Sequence, residues 1–335
     1  MPFSHVRTRD TLDEGEVPMP RTIGLTILAT LGFAANSVLC RLALAHGSID
    51  PASFTLVRVG SGVAALWLIL AFTGRARVLH GSRRAAFALF AYAAAFSFAY
   101  VKLSASAGAL LLFGAVQATM VTTGLVRGER LTAPQWFGFV VAVLGLATLL
   151  APGTAAPPIG GALLMLAAGI GWGAYSLLGR GTTDPLADTA GNFLRALPMV
   201  MLLVGLAAMF GTKVDQCGLV YAIVSGAVAS GLGYTIWYAA LPGLSPAQGA
   251  SVQLSVPVIT ALAGSIALGE AITIRLSLSS IAILGGIALV IASRPKRDGQ
   301  TTEPIRRPGE PRRSTSTPPQ AWVRAVSMVE RHVRF

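Results

Sequence analysis

Charge is scarce in this chain, and cysteine and histidine are scarcer still. Of its 335 residues only 12% are Asp, Glu, Lys or Arg, two are Cys and four are His. With 53% hydrophobic residues and a mean hydropathy of +0.66, it has too little polar surface to solvate a globule of this length. Cys40 and Cys217 are too few for a disulfide framework or a thiolate metal cluster, and each falls near the end of an apolar run. His5, His46, His80 and His332 all lie outside those runs. The chain has no HExxH, no Cys/His ligand set, no Ser-His-Asp grouping and no Gly-Lys-Ser/Thr phosphate loop, so no catalytic centre, metal or cofactor is expected. Acidic residues number 14 against 26 basic, a net charge of +12. Residues 294–335 hold ten Lys/Arg against four Asp/Glu, and most of the remaining excess gathers in loops between apolar runs. Such a distribution belongs to membrane topology and not to nucleic-acid binding.

What the chain does contain is long apolar runs, written twice. The stretch from Ser104-Ala105-Ser106-Ala107-Gly108-Ala109 through Gly128-Glu129-Arg130 to Ala151 returns as Ser245-Pro246-Ala247-Gln248-Gly249-Ala250 through Gly269-Glu270 to Ala292. At a constant offset Ser104 meets Ser245, Gly108 meets Gly249, Thr119 meets Thr260, Glu129 meets Glu270 and Gly145 meets Gly286, which makes an internal repeat. The earlier parts of the two copies align with small gaps: Gly32 to Arg41 over Gly171 to Arg180, and Arg58 near Arg195. Runs of this length and apolarity are membrane helices, because a helix satisfies its own backbone while its side chains match lipid.

The fold expected is an all-α polytopic membrane protein of ten transmembrane helices, arranged as two inverted five-helix repeats. The spans fall at about 22–44, 52–73, 85–102, 104–126, 134–151, 158–179, 190–210, 217–240, 247–268 and 275–293. Residues 1–21 form an N-terminal segment without an apolar core, 22–151 the first repeat, 158–293 the second, and 294–335 a basic tail expected to be disordered. That tail ends on a stretch with Trp322, Val326, Val329 and Val333 along one helical face, read either as an interfacial helix or as a segment held inside by its charge. Arg75, Arg77, Arg83, Arg84, Arg127 and Arg130 mark the cytoplasmic loops, and both termini then lie in the cytoplasm. Five spans per copy is an odd number, so the second copy must run upside down, an architecture of alternating-access carriers.

Two five-span halves, each closing on a Gly-Glu turn after a Ser/Ala-rich start of its fourth span, resemble the drug/metabolite transporter superfamily and, within it, the EamA-type transporters. Gly128-Glu129-Arg130-Leu131, Leu268-Gly269-Glu270 and Arg58 in the second span carry the resemblance, which covers residues 21–293. It implies a carrier of the bacterial inner membrane, often an exporter, acting on amino acids, metabolites or drugs.

Polar groups inside spans are the natural site candidates, since lipid tolerates them only when they face protein or a water-filled cavity. Asn36, Tyr100, Gln117, Trp172, Tyr175, Tyr234, Trp237 and Gln253, with Tyr92 and Ser97, describe a neutral cavity with aromatic walls for a small amphipathic solute. Gln117 and Gln253 are equally fit to tie helices together. Trp136 and Tyr238 read as interface anchors, and Pro257 would break its helix beside Gln253. Arg58 and Arg195 either meet an anionic substrate group or bond backbone carbonyls of a neighbour. Glu129 and Glu270 read as caps on the helices that follow them. No Asp, Glu or His lies in the middle of a span, which favours facilitated diffusion or exchange over proton antiport. The partners expected are a small-molecule substrate and the lipid bilayer, without nucleic acid; a homodimer is left open. The rival reading is a membrane-embedded scaffold or sensor that presents the basic tail.

Overall fold

A computed structural model of the chain describes residues 19–75, 79–128, 130–153, 156–179, 182, 184–240, 243–244 and 246–293. The expectations for residues 1–18, for the tail 294–335 and for Glu129 lie outside the described residues, as does the Tyr238 side chain.

Every named element is a helix. The first repeat comprises α1 (Met19–Ala45), α2 (Pro51–Phe72), α3 (Arg83–Tyr100), α4 (Ala105–Val126) and α5 (Ala133–Leu150). The second begins with α6 (Ile159–Leu178) and α7 (Pro185–Ala208). Its third span is composite: α8 (Gln216–Val224), a π-helical segment (Ser225–Leu232) and α9 (Gly233–Ala240). Its fourth is broken at Leu254 into α10 (Pro246–Gln253) and α11 (Ser255–Leu268), and α12 (Ile274–Ala292) closes the repeat. Among the described residues nine helices are long and apolar enough to cross a membrane. The tenth candidate, α3, opens on Arg83-Arg84 and contains two tyrosines, which makes it the most polar of the spans, and it is packed between α6 and α7.

Polar residues at the helix starts explain where the spans begin. Asp50 accepts from the backbone N–H groups of Ala52 and Ser53, Ser82 from Ala85, Ser104 from Ala107, Asp215 from Gly218 and Thr273 from Leu276, each satisfying donors that the first turn leaves free. Each Gly-Glu turn begins on a glycine with positive φ, 88° at Gly128 and 64° at Gly269, a conformation in which a Cβ is costly.

Packing runs between the repeats more than within them. α5 lies along α12, α3 along α6, α2 along α7, α4 along α11, and α1 along the composite span. Exchanging the repeats maps this set of pairs onto itself. The loops fix the direction. Asp50, at the start of α2, accepts from the N–H of Lys213 beyond the end of α7, and Ile49 bridges to Val214. At the opposite end Arg75, beyond α2, pairs with Asp184 at the start of α7. The second spans of the two repeats therefore run antiparallel, as an inverted repeat requires.

The outer surface is apolar. On α5, Trp136, Phe137, Val140 and Leu144 are exposed while Gly138 and Gly145 are buried against α12. A helix that turns its glycines inward and its large apolar side chains outward is made for lipid.

Candidate functional site

Seven elements meet at the centre of the bundle. A cavity there is lined by Phe33, Asn36 and Ser37 of α1, Tyr92 and Phe96 of α3, Leu112 and Phe113 of α4, Trp172 of α6, Ala229 of the π segment, Tyr234 of α9 and Gln253 at the end of α10. Its volume is about 20 Å³, space for roughly one water molecule. The aromatic rings close it: Trp172 lies 4.9 Å from Tyr92 and 5.0 Å from Tyr234, and Tyr92 lies 5.3 Å from Phe96, centroid to centroid.

Behind this ring layer runs a buried polar network. Asn36 Nδ2 donates to the Tyr92 hydroxyl at 3.3 Å, and Ser225 Oγ donates to Asn36 Oδ1 at 2.7 Å. Arg58, 3% exposed, donates from Nη2 to the same Tyr92 oxygen at 2.8 Å and from Nε to Ser230 Oγ at 3.4 Å. Its Cζ stands 4.8 Å from the Phe96 ring centroid and 5.1 Å from that of Tyr92, within cation–π range. Arg58 Nη1 has no hydrogen-bond partner among the described residues.

The π segment is what lets the second repeat reach this network. Its wider turn brings residues five apart onto one side, so Ser225 and Ser230 both face the first repeat. Gly226 permits the close approach: a Cβ there would stand 2.1 Å from both the Arg58 carbonyl oxygen and Ser61 Oγ.

Of the eight cavity residues expected from the sequence, Asn36, Trp172, Tyr234 and Gln253 line this cavity. Tyr100 does not; it is fully buried, its hydroxyl donates to the Ala105 carbonyl, and its ring occupies the space over Gly108. Tyr175 and Trp237 stand one ring further out, 5.6 Å from Trp172 and 5.8 Å from Phe33. Gln117 lines a separate apolar cavity of about 90 Å³ between α4, α5 and α12. Arg195 is exposed and donates to the backbone carbonyls of His80 and Gly191, the carbonyl-bonding role. Glu270 caps a helix, but α4 of the other repeat rather than the α12 that follows it. Its Oε2 accepts from the Ala105 N–H at 2.7 Å, and its Oε1 from Arg41 Nε at 3.0 Å. Phe33, Phe96, Ser225 and Ser230 escaped the sequence reading, although Phe33 and Phe96 follow the helical spacing of Asn36 and Tyr92.

The comparisons with known proteins agree with this architecture. The EamA-like transporter family model matches residues 20–151 and again residues 159–292. An uncharacterized protein of Pseudomonas aeruginosa is 56% identical over 280 residues, 83% of this chain and 97% of that one. An uncharacterized transporter of Archaeoglobus fulgidus is 25% identical over 179 residues, 52% of this chain and 63% of that protein. A solved crystal structure of a protein shares the fold with a TM-score of 0.58 at 20% identity, over 82% of this chain and 99% of the other.

Proposed function

The chain belongs to the EamA-like transporter family, and from that premise we propose that it is a secondary carrier, working as an exporter, which moves a small organic solute across the bacterial cytoplasmic membrane by alternating access around the central cavity. The observation that carries this reading is the composition of the cavity wall. Three helices of the first repeat and four elements of the second contribute to it, so any rocking of one repeat against the other opens or closes the same space.

At about 20 Å³ the cavity has room for little more than a water molecule, so a solute enters only after its walls part. The break at Leu254, one residue after Gln253 and three before Pro257, gives α10 freedom to swing relative to α11. The cytoplasmic loops are those that carry Arg75, Arg83, Arg84, Arg127 and Arg130, with both termini on that side. Among the described residues no Asp, Glu or His lines the cavity, which supports facilitated diffusion or exchange over proton antiport.

The test is flux in proteoliposomes over a panel of labelled amino acids and metabolites, with and without a pH gradient. One solute class is expected to show saturable flux that ignores the gradient and falls at least about tenfold in Trp172→Ala and in Gln253→Ala. Flux that follows the gradient would overturn the coupling, and wild-type levels in both variants would overturn the assignment of the cavity.

A further inference from the structure

A buried guanidinium is costly in a low-dielectric interior unless an opposite charge answers it. Arg58 has none among the described residues. Asp50 and Asp215 are held by backbone N–H groups at the starts of α2 and α8. Asp184 pairs with Arg75, Asp188 accepts from the Thr182 hydroxyl, and Glu270 pairs with Arg41. These five are all the described carboxylates. Arg58 keeps its charge with only neutral neighbours: Tyr92, Ser230 and the face of Phe96.

The spare hydrogen-bonding capacity next to it is of donor type. The Tyr92 oxygen already accepts from Asn36 Nδ2 and from Arg58 Nη2, which uses both of its acceptor positions and leaves the hydroxyl proton to be donated. Among the described residues Arg58 Nη1 also lacks an acceptor. One donor, the Tyr92 hydroxyl, thus stands in the wall of a cavity whose other walls include Phe33, Phe113, Trp172 and Tyr234, and the second donor and the uncompensated positive charge of Arg58 lie directly behind it.

We infer that the solute is a small monoanion, a carboxylate on an apolar or aromatic body, whose carboxylate is received by the Arg58 guanidinium and the Tyr92 hydroxyl while its body stacks among the aromatic rings. This rests on the carrier reading above and names its substrate class. One positive charge is neutralised by one negative charge, so a dianion would leave a net charge in the cavity and a neutral solute would leave Arg58 unanswered. Arg58 stands one ring layer behind the cavity surface, so contact requires Tyr92 and Phe96 to part as the cavity widens to admit the solute.

The experiment compares acids with their own amides. Monocarboxylates with aliphatic, aromatic and N-acetylated amino-acid bodies, each beside its neutral amide, are titrated against the purified full chain, with binding read by tryptophan fluorescence and thermal stability. Flux of the same compounds is measured in proteoliposomes. Acids are expected to bind at least about tenfold more tightly than their amides in the wild type. The preference should vanish in Arg58→Gln and weaken in Arg58→Lys and in Tyr92→Phe, which keeps the ring, while amide binding stays unchanged. Equal binding of acid and amide in the wild type, or a preference that survives Arg58→Gln, overturns the inference and leaves the carrier reading standing. Should Arg58→Gln not fold, the same ratio in Arg58→Lys and Tyr92→Phe decides. Folded wild-type protein that neither binds nor moves any acid or amide overturns both.

Discussion

Tyr92 is the residue on which both repeats converge, since its oxygen receives Arg58 and Asn36, and Asn36 in turn receives Ser225. Glu270 plays a comparable part nearer the end of the bundle, where one carboxylate both caps α4 and pairs with Arg41, whose Nη1 also bonds the Tyr100 and Val101 carbonyls. Glu270→Gln removes the charge that answers Arg41 and the first turn of α4. The expected cost is about 1–3 kcal/mol, read as a lower midpoint of thermal unfolding in detergent. Asp50, outside the spans, gives a pH dependence. Burial raises its carboxyl, but hydrogen bonds from Ser53, from the Lys213 N–H and from the Ala52 N–H outweigh that and hold it below its ordinary value. A carboxylate depressed in the folded state stabilises fully above its unfolded pKa, near about 4, and loses that contribution as pH falls through the depressed value. Thermal stability should therefore drop on acidification from about pH 4 downward, and Asp50→Asn should flatten that part of the profile.

At the scale of the element, the π segment and the broken fourth span of the second repeat separate what was legible in the sequence from what was not. Pro257 announced the break, because a proline has no N–H of its own to donate and so leaves the carbonyl one turn back, here that of Gln253, without its helical partner. Nothing in the composition of residues 217–240 announced the π turn, which is set by Gly226 meeting the backbone of α2 and by Ser225 and Ser230 finding partners in the first repeat. The same limit explains Tyr100. Its polarity made it a cavity candidate, yet whether a tyrosine faces a void or a glycine is decided by the neighbouring helix, here Gly108. Gly226→Ala is expected to destabilise by about 1–3 kcal/mol by overpacking, with lost yield of folded protein. Gly285→Ala, with nothing within 4 Å of its new Cβ, should be neutral in the same measurement.

The whole molecule is described by its inverted repeat, and this level was the most legible because it depends on periodic apolarity and on matched residues such as Gly145 and Gly286 rather than on contacts. Sidedness gives it a direct check. Cys217 is exposed at the start of α8 and Cys40 is buried. A membrane-impermeant maleimide should label Cys217 from the outside of intact cells and leave Cys40 untouched, whereas a cysteine placed at Thr73, beyond the other end of α2, should react only after the membrane is opened. Labelling of both from the same side would contradict the inversion. The exchange of partners between repeats also sets the order of assembly. The first repeat leaves the ribosome before any of its companions exist, and the glycine-bearing face of α5 waits for α12, the last of the described helices to be made. Biogenesis of this chain cannot proceed half by half: a chain terminated anywhere before α12 leaves helices in the bilayer with their contact faces uncovered, which makes it a substrate for membrane quality control rather than a smaller working carrier.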